Sequence, residues 1–158
     1  MVSVSSKAQT LRTAIAVGTV HFSNPTPLSL IRSNSLKKGD VMSVSRIAGI
    51  MAAKKCPDLI PLCHPIMLTH VGVELRTFDS KDRGFGGVTV EVKVQCEGQT
   101  GVEMEALTAV MGSALSVVDM CKAVDKGMRI DGVRVVLKEG GRSGVWREEG
   151  WRSSGDGT

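Results

Sequence analysis

Aromatic residues are scarce in this chain: its 158 residues include three Phe, two Trp and no Tyr. Proteins that bind single-stranded nucleic acid stack the bases on such rings, so the shortage argues against that class. The four cysteines form no C-x-x-C pair, which argues against a zinc site or a metal carrier. No window approaches the roughly 18 apolar residues of a membrane span, and we expect no contact with a membrane.

What the chain does contain is typical of one soluble domain. Hydrophobic residues make up 42% and charged residues 23% of a length that can enclose a core. The formal net charge of +4 favours an anionic ligand, and phosphate-bearing metabolites fit as well as nucleic acid does. Cys56, Cys63, Cys96 and Cys121 each lie in an apolar or strand-like setting, which predicts reduced thiols that pack as small hydrophobic groups.

The first part of the chain resembles a targeting segment only superficially. Residues 1–39 contain no acidic residue and are rich in serine, as an organellar transit peptide is. Residues 10–22, however, already alternate like a strand of the folded domain. We expect a cytoplasmic protein, or one of the mitochondrial matrix if the source is eukaryotic.

Hydrophobic periodicity predicts four strands and two main helices in the order β-α-β-β-α-β. This order is the split βαβ arrangement of ferredoxin-like α+β folds, an antiparallel sheet with the two main helices on one face. We expect the domain to span residues 1–144 and residues 145–158 to be a disordered tail. The predicted strands are Thr10–Phe22, Met67–Phe78, Val88–Cys96 and Val133–Lys138, and the predicted helices are Val41–Lys55 and Thr100–Val124, with a short helical turn at Leu28–Leu36.

The first main helix is predicted to be amphipathic. Its apolar positions Val44, Ile47, Ala48 and Met51 recur at helical spacing. Pro57 ends the pattern and is followed by a compact loop, residues 58–65.

The second main helix has charges only near its ends. Residues 106–118 carry no charge, whereas Glu103 and Glu105 precede them and Asp119 and Lys122 follow. Thr100 and Glu103 have the spacing of a capping box, which predicts the start of the helix. Glu105 and Asp119 are fourteen residues apart, about 21 Å along a helix. If both ends serve one small site, a second subunit must supply one of them.

Several side chains could take part in chemistry or in ordinary surface contacts. Asp119 and Lys122 share a helix face and form either an exposed ion pair or, if partly buried as their apolar neighbours suggest, a proton-transfer pair. His64 is either solvated or functional in its Pro-flanked loop. Zinc is unlikely to bind beside it, since Cys63 is adjacent and no further ligand spacing is present. One of Glu103 and Glu105 can face a ligand while the other supports the helix dipole.

Basic residues are the candidates for gripping phosphate groups, although each taken singly could be a solvated surface charge. A glycine-rich segment, residues 140–144, could offer backbone N–H groups to an anion, but it precedes no helix and is a weak phosphate-loop signal. The basic candidates are Lys7, Arg12, Lys38, Lys54, Lys138 and Arg142.

Five motifs together resemble a known family. They are KGDV (38–41), RIAGIMAAK (46–54), DLIPLCHP (58–65), TGVEMEALTA (100–109) and DMCKAV (119–124). In this order and spacing the chain resembles the cyclic pyranopterin monophosphate synthases, the MoaC family, from about residue 1 to residue 144.

The resemblance implies a lyase of molybdenum cofactor biosynthesis. The family converts 3′,8-cyclo-7,8-dihydroguanosine 5′-triphosphate into cyclic pyranopterin monophosphate and releases pyrophosphate. It also implies a homohexamer, a trimer of dimers with active sites at interfaces, and a functional link to a radical-SAM GTP cyclase. No resident cofactor is firmly implied, although a divalent cation such as Mg²⁺ stays open.

The resemblance also assigns roles by position. Asp119 matches the family's active-site aspartate and Lys122 its catalytic lysine, which implies general acid–base steps by this pair. The remaining matched positions are substrate-binding. They are Leu62, Cys63, His64, Met104, Glu105, Lys38, Lys54 and Lys138, with Glu103, Arg12 and Lys7 joining them less directly.

This chain departs from the family pattern at two points. Ser3 stands where the family usually has an aspartate, and Arg142 stands where it has a lysine in Gly-Gly-Lys-Ser-Gly. The second change keeps the charge, whereas the first removes a carboxylate. The family's usual upstream segment is also absent, so we expect that Met1 marks either a start or a domain cut from a longer chain. The rival classes are a non-catalytic phosphate-sensing module and an RNA-binding module on the same fold.

Overall fold

The structure, a computed structural model, describes residues 1–80 and 84–153. Its centre is a five-stranded, fully antiparallel sheet in the order β2-β3-β1-β4-β5. The strands are β1 (Thr10–His21), β2 (Leu68–Phe78), β3 (Gly87–Gly98), β4 (Arg129–Glu139) and β5 (Trp146–Arg147). The helices are α1 (Thr26–Arg32), α2 (Val41–Lys54), α3 (Cys56–Leu59) and α4 (Glu103–Cys121).

The prediction of a ferredoxin-like α+β fold is confirmed. The four long strands form in the predicted order along the chain, and β2 and β3 pair as an antiparallel hairpin whose link includes residues 81–83, outside the described residues. Alternate valines of β3, from Val88 to Val94, are fully buried against the helices, because successive side chains of a strand point to opposite faces. The main core lies between this face of the sheet and α2 and α4.

Helices α2 and α4 contact each other through small residues. A Cβ placed on Gly49 would lie 2.2 Å from Ser113 Oγ, and a Cβ on Gly112 would lie 2.4 Å from the Cβ of Ala52. Such short distances leave no room for a side chain at either glycine. The two helix backbones therefore approach closely only because these positions are glycine.

Because of this close contact, the face of α2 that packs on the core is not the face that the sequence pattern predicted. Its buried residues are Val41, Ser45, Gly49 and Ala53, whereas Val44, Ile47 and Met51 are 43%, 61% and 50% exposed. The apolar spacing correctly predicted a helix. As a guide to the core it was wrong, since the small side chains are the ones that fit against α4. Val44, Ile47 and Met51 form an exposed stripe, called here the α2 stripe.

The second face of the sheet is partly covered by the end of the chain. Trp151 packs against a cluster of Ile15, Val136 and Leu137, and Ser153 donates a hydrogen bond of 2.8 Å to Glu91 Oε1. β5 and the contacts of residues 151–153 with the sheet lie within the segment 145–158, for which the sequence predicted a disordered tail. Residues 154–158 lie outside the described residues.

By length and composition, α4 could also cross a membrane. The expectation that no window approaches such a segment is thus wrong on composition alone. Half of the apolar window is buried within the protein, where it packs on the sheet and α2. A core helix surrounded on several sides meets the same criterion.

Candidate active site

Asp119 lies in the last turn of α4 between two lysines. Lys122 Nζ is 2.7 Å from Asp119 Oδ1, and Lys38 Nζ is 2.5 Å from Oδ2 and 3.0 Å from the Asp119 carbonyl oxygen. Hydrogen bonds from Lys122 and then Lys38 lower the pKa of Asp119 to about 2. The carboxylate is therefore ionised at neutral pH and can accept a proton but has none to donate.

The partial burial expected for this pair is not found within one subunit. The side chains of Asp119 and Lys122 are 53% and 63% exposed. Val117, Met120 and Cys121 turn towards the core and leave Asp119 and Lys122 on the outer side of the helix. The described part of the chain therefore leaves the pair more than half exposed.

Lys38 reaches Asp119 from a loop that is fixed by the turn and the helix cap directly after it. Gly39, with a φ of +94°, makes the turn after it, a conformation that glycine adopts without strain. Asp40 then caps α2, accepting a hydrogen bond of 3.0 Å from the Ser43 N–H. A residue more than eighty positions away in sequence is thus brought to the end of α4.

At the other end of α4, Glu105 is buried, with 3% of its surface exposed. Burial raises the pKa of Glu105, while hydrogen bonds from its own backbone N–H and from the Cys56 thiol oppose the shift. Burial is also the main cause that raises the pKa of the Cys56 thiol to about 11, and Glu105 and Cys63, which lies in the loop after α3, raise it further. Glu105 and Cys63, two predicted substrate-binding residues, therefore act on the same thiol.

The start of α4 does not use the predicted capping box. The N-cap is Val102, and no side chain caps it. Glu103 instead folds back over Gly101, where a Cβ would lie 1.9 Å from Glu103 Oε2. Thr100 takes part through its backbone, whose carbonyl oxygen accepts a hydrogen bond of 3.9 Å from the Cys96 thiol. The helix start was predicted within three residues, but the reason given for it was wrong.

A cavity of about 620 Å³ opens beside the start of α4. Four cationic side chains and two carboxylates line it, so an anion finds a positive excess. The volume is typical of a small-ligand pocket. The charged lining residues are Lys7, Arg12, Lys138, Arg142, Glu103 and Glu139.

The backbone of three glycines surrounds the Arg12 side chain in this cavity. Its Nε donates a 3.2 Å hydrogen bond to the Gly98 carbonyl oxygen. Gly140 and Gly141 have φ angles of +94° and +74°, and a Cβ on Gly141 would lie 1.7 Å from Arg12 Nη1. The glycine-rich segment thus has a role that its sequence only weakly indicated. It gives the guanidinium group room beside the backbone.

The structure therefore sorts the predicted site residues into three groups. Lys7, Arg12, Glu103 and Lys138 line the cavity, Lys38 joins the Asp119–Lys122 pair, and Glu105 joins Cys63. The others lie on the surface around the second and third groups: Lys54 at the end of α2, Leu62 and the half-buried His64 after α3, and Met104 on the outer side of α4.

Sequence reasoning missed the surroundings of Cys56. Cys56 is fully buried, and the Thr108 hydroxyl donates to its Sγ at 3.4 Å. Thr108 follows Glu105 by three residues on α4, a spacing that places both on one face. The sequence shows this spacing of Glu105 and Thr108, whereas the position of Cys56 next to Thr108 depends on α3, which was not predicted.

In residues 1–80 and 84–153, no group of three or more His, Cys, Asp or Glu side chains could hold a metal ion. All four cysteines are free thiols. The three groups offer lysine, arginine, carboxylate and thiol side chains.

Comparison with known proteins identifies the family of this chain. The sequence profile of the MoaC family matches residues 1–141. The chain belongs to the MoaC family. It is 53% identical over 149 residues to the cyclic pyranopterin monophosphate synthase of Chloroflexus aggregans, covering 94% of this chain and 87% of that one.

Two further relatives carry the same name. The protein of Rhodospirillum rubrum is 53% identical over 146 residues, 92% of this chain and 85% of the relative. The protein of Roseiflexus castenholzii is 52% identical over 144 residues, which cover 91% of this chain and 88% of the relative. Similarity of this extent covers all three groups of site residues in this chain.

Proposed function

We propose that this protein is a cyclic pyranopterin monophosphate synthase, a phosphorus–oxygen lyase of molybdenum cofactor biosynthesis. It takes a GTP-derived substrate, 3′,8-cyclo-7,8-dihydroguanosine 5′-triphosphate, and forms cyclic pyranopterin monophosphate and pyrophosphate. The observation that carries the proposal is the cavity in which four cations face two carboxylates, combined with membership of the MoaC family.

The cavity suits the phosphate part of this reaction. The oxygen of a substrate hydroxyl forms a bond with the α-phosphorus and loses its proton to the solvent, and the bond from that phosphorus to the bridging oxygen breaks. Pyrophosphate leaves with the electron pair of the broken bond. Cationic side chains such as Arg12 and Lys138 stabilise the charge that develops on the leaving group.

The Asp119–Lys122 pair suits proton transfer. Asp119 is ionised at neutral pH, because two lysines hold its pKa at about 2, and it acts as the proton acceptor. Lys122, 2.7 Å away, is the donor. A donor and an acceptor side by side serve successive steps in which the substrate ring opens and recloses.

Substrate recognition is assigned to the third group of residues. Leu62, Cys63 and His64 lie after α3, and Met104 and Glu105 lie at the start of α4. Lys54, at the end of α2, adds a positive charge to the same end of the helix layer. We assign these residues to binding, and Asp119 and Lys122 to catalysis.

We further propose that each site is shared between two subunits of a homo-oligomer, a trimer of dimers. Glu105 and Asp119 lie at opposite ends of α4, about 21 Å apart at the rise of a helix. Within residues 1–80 and 84–153, the Asp119–Lys122 pair stays more than half exposed. The α2 stripe offers an apolar surface that a second copy would cover.

The α2 stripe makes the oligomer testable. Ile47→Glu places a charge in the stripe and should lower the mass measured by light scattering, whereas Val145→Glu, at a 67% exposed position outside the stripe, should not. A monomeric wild-type protein with full activity would refute the shared site.

The substrate chemistry also implies a partner reaction. The substrate carries a carbon–carbon bond between its sugar and its base, so a radical enzyme that cyclises GTP must supply it. We assign that step to a separate radical-SAM GTP cyclase. The proposed compartment is the cytoplasm, or the mitochondrial matrix in a eukaryotic source.

A non-catalytic phosphate sensor or an RNA-binding module is the alternative on this fold. The second sheet face carries Thr89, Glu91 and Lys93 on β3 in place of aromatic side chains, and residues 151–153 cover part of it. Both features disfavour RNA binding.

The direct experiment is to incubate the purified protein with the cyclised GTP intermediate. Equal amounts of pyrophosphate and the tricyclic pterin, identified by mass spectrometry, would support the proposal. Tight binding of the intermediate without turnover would favour the sensor instead.

A further inference from the structure

Hydrogen bonds tie the segment after α4 to the end of β1. Asp125 is 3% exposed, and its carboxylate accepts from the Ser23 N–H at 2.7 Å, from the Gly127 N–H at 2.9 Å and from the Ser23 hydroxyl. A further bond joins the same two segments, since Asn24 Nδ2 donates to the Val124 carbonyl oxygen at 3.1 Å. These residues, called here the Asp125 clamp, are Ser23, Asn24, Val124, Asp125 and Gly127.

Lys122 lies between this clamp and the last turn of α4. It is the C-cap of the helix, and its N–H donates to the Val118 carbonyl oxygen at 2.9 Å. The N–H groups of Val124 and Asp125 both donate to the Cys121 carbonyl oxygen, at 2.9 and 3.0 Å. The backbone of Lys122 is therefore fixed by the helix before it and by the clamp after it.

The clamp requires a carboxylate at position 125. The three groups that Asp125 contacts are all donors, and a carboxylate accepts at both of its oxygen atoms. An amide of the same shape would turn its NH₂ group towards either the Ser23 N–H or the Gly127 N–H, and that N–H would lose its acceptor. Burial raises the pKa of Asp125, but the hydrogen bonds from Ser23 and Gly127 outweigh it and hold the pKa below its ordinary value, so the group is ionised at neutral pH.

Gly127 allows the two segments of the clamp to approach. A Cβ on Gly127 would lie 2.5 Å from Ser23 Oγ and 2.8 Å from Ser23 Cβ. A side chain at this position would push Ser23 away from the Asp125 carboxylate. The clamp thus depends on side chains from both segments and on a glycine between them.

We propose that Asp125 is a positioning residue that fixes the turn carrying Lys122 and so keeps the Lys122 ammonium group beside the Asp119 carboxylate. Lys122 Nζ is 2.7 Å from Asp119 Oδ1, but its side chain is 63% exposed, so its place depends on the backbone from which it projects. This inference rests on the proposed function for its kinetic consequence. Its structural consequence, the order of the turn at Lys122, can be measured without substrate.

The first test measures hydrogen exchange of the Lys122 and Val124 backbone amides by NMR. Asp125→Asn should speed the exchange of both amides at least about fivefold, the effect of one lost hydrogen bond to a charged group. Trp151→Ala removes a packing contact on the second face of the sheet and is the control for lost stability. It should lower the melting temperature and leave the exchange of these two amides unchanged, because amides at a helix end exchange by local opening.

The second test is kinetic. Asp125→Asn should lower kcat at least about tenfold and leave KM within about twofold of the wild-type value, because a misplaced proton donor slows the chemical steps more than it weakens binding. Ser23→Ala removes one donor to the carboxylate and should lower kcat in the same direction, whereas Ser23→Thr keeps the hydroxyl and should restore most of the loss. Trp151→Ala, assayed below its melting temperature, should keep the wild-type kcat.

The outcomes separate the two proposals. A folded Asp125→Asn variant with the wild-type kcat would overturn the positioning role, and so would equal losses of kcat in Asp125→Asn and Trp151→Ala. If Asp125→Asn does not fold, a wild-type kcat in Ser23→Ala, which leaves the carboxylate and both backbone donors in place, would overturn it. A wild-type protein that makes no product would refute the proposed function, and the exchange of the Lys122 amide would then decide whether the clamp fixes this turn.

Discussion

Replacing Asp119 by Asn tests the assignment of the proton acceptor. Asn has the same shape but no charge, and its NH₂ group would face one of the lysines that the carboxylate binds at 2.5 and 2.7 Å. Because general acid–base catalysis contributes about 10²–10⁴-fold, we expect kcat to fall by at least ~10²-fold. The assay is pyrophosphate release from the cyclised GTP intermediate.

The fold should tolerate this change. The Asp119 side chain is 53% exposed and its ion pairs are on the surface, where such pairs contribute little to stability. The melting temperature and oligomer mass should therefore match those of the wild type. Asp79→Asn is the matched control, since Asp79 also forms an exposed ion pair, 2.8 Å from Arg32 Nη2, but lies outside the three groups.

The pH dependence of the same residue has a defined sign. The pKa of Asp119 is lowered from 3.8 to about 2, so its ion pairs stabilise the fold above the unfolded value and are lost as pH falls towards 2. Between pH 8 and pH 5 the carboxylate stays ionised, and any loss of activity there has another origin. Near-normal turnover by folded Asp119→Asn would refute the role assigned to it.

Two further predictions concern the glycines. Gly141→Ala should raise KM by about tenfold or more, because the new methyl group would displace Arg12, a charged contact of the substrate. Gly144 also has a positive φ, but a Cβ there would meet nothing within 4 Å, so Gly144→Ala should leave KM unchanged. Equal effects of the two substitutions would mean that backbone strain alone is responsible. Gly49→Ala should destabilise the fold by about 1–3 kcal/mol through overpacking against Ser113. Adding Ser113→Ala, which removes a buried hydroxyl with no partner in the described structure, should recover part of that loss in a denaturant titration, and a strictly additive double variant would contradict the contact.

Much of the fold followed from local pattern. The alternation from Val88 to Cys96 correctly predicted β3, and the uncharged run at 106–118 correctly predicted the middle of α4. Both signals are strong because one side of a strand, or nearly every side of a central helix, has to be apolar.

The failures have a common physical origin in packing. On α2, periodicity marked Val44, Ile47 and Met51, but the small residues opposite them fit the groove of α4. Trp151, in the segment for which the sequence predicted disorder, is partly buried against an apolar patch of β1 and β4 that no local pattern reveals.

The members of the candidate site stay a prediction from the family motifs, whereas their arrangement in space required the structure. Position in the family motifs predicted Asp119, Lys122 and Glu105, and the charges at the ends of α4 indicated two separate regions. The approach of Lys38 to Asp119 and of Cys56 to Glu105 could not be predicted, since each joins segments distant in sequence or depends on a short helix.

The most direct test of the shared site is to mix two inactive variants, Asp119→Asn and His64→Ala, under conditions of verified subunit exchange. If each site takes Asp119 from one subunit and His64 from another, random mixing leaves about a quarter of the sites with both native residues. We therefore predict recovery of about a quarter of the wild-type activity. No recovery despite complete exchange would contradict a site built from two subunits.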